Sequence, residues 1–173
     1  MQQSNRDSWK PSPHLFYKLN FDASMFSSLD KSGFGAVIKF DKGEVMATKG
    51  PAVFCSEEAE FLACRKAIEF AMDAGFSEFI IEGDNSIVMH AISSMNANQS
   101  LLGNVVGDIQ VMLRRLHWVS IDFTRKGGGG EGRNKVAHVL AQYARNIIDD
   151  MYWMEDLPPL AMEALHQDAN FID

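Results

Sequence analysis

Only two cysteines occur in the 173 residues, Cys55 and Cys64, and they lack a CxxC spacing. No disulfide framework is expected. A zinc site is not expected either, because no histidine stands near them, and both read as reduced, partly buried thiols. No apolar run approaches the roughly 20 residues that a membrane-crossing helix requires. The opening stretch lacks both the apolar core of a secretion signal and the Arg-rich amphipathic character of a transit segment. Residues 1–13 therefore read as a flexible lead-in, and an intracellular protein, nuclear or cytoplasmic, is expected. Positive charge is also scarce, since 16 Lys and Arg against 23 Asp and Glu leave a formal net charge of −7. That balance argues against a broad phosphate-binding surface, whose affinity comes from Lys and Arg. It is compatible with a local cluster of metal-binding carboxylates.

What is present suits one compact domain, because 46% of residues are hydrophobic and 23% charged. Leu19, Phe21 and Ala23 alternate with Lys18, Asn20 and Asp22, the two-residue period of a half-buried strand. Phe34 to Phe40 and Glu44 to Thr48 flank the turn signal Asp41-Lys42-Gly43, which predicts an antiparallel hairpin. The period then lengthens. Ser56 can cap a helix whose first turn holds Glu57 and Glu58, whose packing face is built on Ala59, Ala63, Ala67 and Ala71, and which Gly75 closes. Phe79-Ile80-Ile81 reads as a central strand. A short helix over 85–95 follows, then a second with a clear apolar stripe ending near Leu116. Val119, Ile121 and Phe123 give a fifth strand, and a last helix carries Val136, Ala137, Leu140, Ala144 and Ile147. The expectation is an α/β domain over 14–150, with a five-stranded mixed sheet, its first three strands antiparallel, and helices on both faces. A tail over 151–173, with Trp153, Pro158 and Pro159, is expected to pack loosely upon it.

Three carboxylates stand out among the acidic residues. Asp22 lies in the middle of a strand, where Asp is disfavoured. Glu60 has Ala63, Cys64 and Ala67 three, four and seven positions on, a small apolar face where an unpaired charge is costly. Asp84 follows the central strand, at the end where open α/β sheets place their sites. Each has an ordinary reading: an edge residue facing water, a glutamate with its head in solvent, a helix cap. Glu82 either shares the site or faces elsewhere. If the first and fourth strands are neighbours, Asp22, Glu60 and Asp84 converge as hard oxygen ligands for Mg²⁺ or Mn²⁺. Two such ions about 4 Å apart can activate water and stabilise the leaving oxygen in phosphodiester hydrolysis.

Trp9-Lys10-Pro11, Lys18-Leu19-Asn20-Phe21-Asp22-Ala23, Gly33-Phe34-Gly35-Ala36-Val37-Ile38, Ala59-Glu60 with Ala63, Glu82-Gly83-Asp84-Asn85-Ser86 and Asn134-Lys135-Val136-Ala137-His138 occur in a specific order. That ordered set resembles the ribonuclease H superfamily, in particular the plant reverse transcriptase-like ribonuclease H domains related to retroelements. The resemblance implies four metal-binding, catalytic positions, here Asp22, Glu60, Asp84 and His138. At the last of these the family carries Asp, so nitrogen replaces oxygen, a change that suits Mg²⁺ poorly and Mn²⁺ or Zn²⁺ better. The loop over 125–133 is glycine-rich and has no histidine, unlike bacterial-type relatives, and residues 97–104 contain no Lys or Arg. Arg125, Lys126, Arg133 and Lys135 flank the site as candidate backbone contacts, and Asn20, on the strand face of Asp22, is a candidate for the ribose 2′-OH. The resemblance implies an RNA–DNA hybrid ribonuclease using Mg²⁺ or Mn²⁺ in a two-metal site. RNA–DNA hybrid or RNA is the expected partner, with no membrane, no small-molecule cofactor and a monomeric state. Two other readings compete: a non-catalytic module that holds RNA or hybrid, and an exonuclease or nucleotidyl transferase on the same fold.

Overall fold

The first strand, β1 (Tyr17–Phe26), becomes the middle of the sheet, not its edge. In the computed structural model, which describes residues 17–26, 31–40, 45–52, 56–94, 103–123, 135–144 and 151–154, ten elements are present. After β1 come β2 (Lys31–Phe40), β3 (Val45–Ala52), α1 (Ser56–Asp73), β4 (Glu78–Gly83), α2 (Ser86–Ser93), α3 (Gly103–Arg115), β5 (Trp118–Phe123), α4 (Lys135–Tyr143) and β6 (Met151–Met154). The sheet order is β5-β4-β1-β2-β3-β6. β1, β2 and β3 pair antiparallel, and β4 lies parallel to both β1 and β5. The expected hairpin and the mixed sheet are both present.

One expectation needs correction. The sheet has six strands, because Met151–Met154 adds antiparallel to β3, with Ala47 opposite Trp153 and Thr48 opposite Tyr152. A segment assigned to a loose tail thus forms part of the sheet. Tyr and Trp favour pleated structure, and β3 without a neighbour would present a row of unpaired backbone groups. Four residues are too short to show alternation against their surroundings, so the sequence concealed the strand. The ordinary reading of Asp84 as a helix cap does not apply: Asn85 caps α2, its Oδ1 accepting from the backbone N–H groups of Ile87 and Val88. The lead-in, the Gly127 to Gly130 run and residues 155–173 lie outside the described residues.

The two faces of the sheet are covered differently. Leu19, Phe21, Phe34, Ile38, Phe79 and Ile81 project onto one face and are enclosed by α1, α2 and α3. Small residues on α1, including Ala63, Ala67 and Ala71, let that helix lie close to the strands. Each large side chain buried there contributes roughly 1.5–3 kcal/mol. Gly83 serves this face too, since a Cβ there would stand 2.6 Å from the Met89 sulfur and 3.1 Å from the Phe21 ring. On the opposite face lie Asn20, Asp22, Gly33, Gly35 and Val37, covered by α4. A Cβ on Gly35 would come within 2.6 Å of the Ala141 nitrogen, and one on Gly33 within 2.6 Å of the Ala144 Cβ. The glycines of β2 and the alanines of α4 therefore form a seam of backbone against backbone.

Candidate active site

That seam positions the site. Asp22 is opposite Gly35 in the β1–β2 ladder, and α4 rests directly on Gly35. His138, on the first turn of α4, consequently reaches Asp22, with Nδ1 2.6 Å from Asp22 Oδ2. The Asp22 side chain is 8% exposed while that of His138 is 50% exposed, so the imidazole closes the carboxylate off from solvent on one side. Burial raises the Asp22 pKa above the ordinary carboxylate value, and the charge of Asp84 adds to the effect. The His138 hydrogen bond and the Ala23 backbone act against that rise.

Glu60 stands on the first turns of α1, within hydrogen-bonding reach of Asp22. Its pKa is pushed up to about 8, chiefly by burial, then by the charges of Asp22 and Asp84. Among the described residues its buried Oε2 has no hydrogen-bond partner. One turn further, Cys64 is fully buried, and burial together with the Glu60 charge drives its thiol upward. That thiol is a packing residue in the core, not a nucleophile. Asp84, one residue beyond β4 and released from capping, places its charge close enough to raise both Asp22 and Glu60.

The charge of Asp84 thus opposes ionisation of both Asp22 and Glu60, and that of Asp22 opposes ionisation of Glu60. Like charges crowded in a partly buried place stay protonated or call for a counter-charge. Among the described residues no group of three His, Cys, Asp or Glu side chains is already arranged to hold a metal ion. The donors nonetheless suit a hard divalent cation: three carboxylates, two of them made harder to ionise by the charge of the third, and one with an orphaned buried oxygen. His138 already holds a hydrogen bond with Asp22.

The nucleic-acid contacts expected from the sequence fare differently. Asn20 is 0% exposed, and its Nδ2 donates to Glu82 Oε2 at 3.0 Å. It is enclosed between sheet and helix, so no 2′-OH reaches it; strand alternation gave its face but not the helix above it. Arg125, Lys126 and Arg133 lie outside the described residues, and Lys135 opens α4 with its side chain outside the description. Two polar residues beside the site were not singled out as functional. Glu82 is 2% exposed, and its Oε1 accepts from the Lys18 ammonium at 2.8 Å. The signal was available: a Lys and an Asn two residues apart on one strand face need partners if that face is covered.

Comparison with known proteins agrees with the fold. A family model described as reverse transcriptase-like matches residues 20–144. No curated protein matches the chain in sequence. Among solved structures, the RNase H1 of the halophilic archaeon Halobacterium salinarum superposes with a TM-score of 0.64 at 20% identity, covering 75% of this chain and 96% of that one. The N-terminal RNase H domain of rv2228c from Mycobacterium tuberculosis, solved as a fusion with maltose-binding protein, gives 0.59 at 17% identity, covering 89% and 98%. LC11-RNase H1, solved in complex with an RNA/DNA hybrid, gives 0.62 at 15% identity, covering 74% and 95%. The parallel β1–β4 pair, the antiparallel β1–β2–β3 meander and the matched segment, which runs from Asn20 to Ala144 and so includes all four predicted site positions, place this chain in the reverse transcriptase-like family of RNase H-like domains.

Proposed function

We propose that this chain is a divalent-metal-dependent endonuclease that hydrolyses the RNA strand of RNA–DNA hybrids. The observation that carries the reading is that the charge of Asp84 raises the cost of ionising both Asp22 and Glu60, and that of Asp22 the cost of ionising Glu60. The solved neighbour that holds an RNA/DNA hybrid supports the substrate class. Mg²⁺ or Mn²⁺, at one or two positions among these carboxylates, would neutralise their repulsion, polarise the phosphodiester and make bound water acidic enough to attack at neutral pH. Asp22 would hold the cation from β1 and Asp84 from just beyond the end of β4, and Glu60 would turn its orphaned oxygen toward it. His138 would either complete a second site or keep one Asp22 oxygen occupied, which favours Mn²⁺ over Mg²⁺. Arg125, Lys126, Arg133 and Lys135 would meet the backbone phosphates, in a domain acting as a monomer. Cleavage adds water across one P–O bond of the RNA strand and leaves one phosphate and one hydroxyl end.

A second reading has one specific observation in its favour. The 2.6 Å contact between His138 and Asp22 satisfies in advance a ligand that a metal would otherwise claim. A protein fixed in that state would bind hybrid without cutting it. Incubation with a labelled hybrid in Mg²⁺ and in Mn²⁺, beside Asp22→Asn and Asp84→Asn, decides between them. The nuclease reading expects cleavage, stronger in Mn²⁺, and a loss of roughly a hundredfold or more in either variant. Each variant should remain folded, since replacing a desolvated carboxylate in a functional site tends to stabilise. Retention of hybrid without cleavage in either metal would establish the binding module.

A further inference from the structure

The β1–β4 ladder ends at the pair Asn20 and Glu82. Beyond it the strands part: β1 continues to Asp22 and on to Phe26, whereas β4 ends at Gly83 and turns through Asp84 into α2. Asp22 and Asp84 therefore stand on the two arms of a fork, each two residues past the last pair. Backbone hydrogen bonds of the ladder do not tie those arms together.

A side-chain rung lies at that last pair. The Glu82 carboxylate accepts at Oε1 from the Lys18 ammonium and at Oε2 from the Asn20 amide, at 2.8 and 3.0 Å. Lys18 and Asn20 are alternate residues of β1 and project onto the same face. One carboxylate thus straddles two consecutive same-face positions of the neighbouring strand. It can do so in one register only. A slip of one residue would turn Lys18 and Asn20 toward the apolar face, together with Asp22. The Asn20 amide also has a single usable orientation, since the flipped one would set Oδ1 against the carboxylate. Its Oδ1 has no partner among the described residues, so the orientation rests on Glu82 alone. Leaving a buried carboxylate with either partner removed is costly, which makes the rung stiff.

We infer that Lys18, Asn20 and Glu82 are positioning residues that hold the arms of this fork, and thereby the spacing of Asp22 and Asp84, at the separation a divalent cation requires. They touch neither substrate nor cation. Their contribution is to the affinity of the site, in the manner of groups behind metal ligands whose loss typically weakens binding 10- to 100-fold. The inference rests on the metal reading given above for its affinity consequence, but not for its structural one.

The test compares Glu82→Gln with Ile109→Val, a truncation in the α1–α3 core, at matched loss of melting temperature. Gln offers one acceptor where two donors wait, so one tie is lost. Backbone hydrogen exchange of the metal-free protein should quicken roughly tenfold at Asp22, Ala23 and Asp84 in Glu82→Gln and not in Ile109→Val. Calorimetric titration with Mn²⁺ alone should show a dissociation constant raised roughly tenfold in Glu82→Gln and unchanged in Ile109→Val. Lys18→Met, which removes only the half-exposed partner, should shift both in the same direction by less, and it stands in if Glu82→Gln does not fold. Equal shifts in the core control, or no shift in either rung variant, would overturn the inference. A wild-type protein that binds no Mn²⁺, with exchange still separating rung from core, would sustain the rung and sink the metal reading.

Discussion

The two faces of the sheet are built from the same strands and do opposite work. Along β1, Leu19 and Phe21 enter a closed apolar layer, while Lys18, Asn20 and Asp22 enter a thin polar one beneath a single helix. The first face is stable because its side chains have no use other than packing. The second collects what the first excludes: a desolvated aspartate, a half-exposed histidine and a buried glutamate that needs two partners. Stability and chemistry are separated by one residue of alternation, so damage to either should be distinguishable in experiment.

The strongest break in this separation is Phe21→Ala. It removes a ring buried against Gly83 and the α2 layer and should cost about 3–5 kcal/mol, read as a lower denaturant midpoint. The neighbouring Asp22→Asn should leave that midpoint unchanged or raise it. A comparable loss from both would mean that the faces are not independent.

Gly35→Ala should cost less, about 1–3 kcal/mol, because α4 can shift outward from the added methyl group. Its signature is functional. Lifting α4 parts His138 from Asp22, so the imidazole signals in NMR should lose their dependence on Asp22 while the α1–α3 face keeps its exchange protection. Unchanged imidazole signals would show that the seam does not set the His138 position.

A further effect concerns pH. Glu60 holds its proton up to about pH 8 in the folded state, against 4.5 for the free side chain. The folded protein therefore binds more protons than the unfolded chain across that interval, and its stability falls as pH rises from about 4.5 to about 8, then levels. Asp22, also raised, contributes in the same direction. Thermal melting in chelator at pH 5.5, 7 and 8.5 should show this decline, and Glu60→Gln should flatten it. A rise in melting temperature across that range would contradict the assigned burial.

Much of this was legible before any coordinates. The alternation over Lys18 to Ala23 gave β1 and its faces, and the small-residue face of the first helix flagged Glu60 as a charge in need of a partner. Local rules suffice there because period and composition act within a few residues. They do not reach interactions set by docking. The sequence makes Asn20 a candidate for a ribose 2′-OH because nothing near it reveals that α4, more than 100 residues later, lies over β2. Glu82 looked ambiguous until Lys18 and Asn20 were seen beside it. β6 carried too few residues to show a period, and the choice of Asn85 over Asp84 as cap turned on one position in a run of polar residues.

The central place of β1 has a consequence in time. It is synthesised before the other described strands of the sheet, yet it is flanked by β2 on one side and by the much later β4 on the other. Asp22 and His138 are separated by 116 positions, which at about 5–20 residues per second take a ribosome roughly 6 to 23 seconds to traverse. Throughout that interval the polar face of the nascent sheet is without its helix, and no prematurely terminated chain that stops short of α4 can bring all four site residues together.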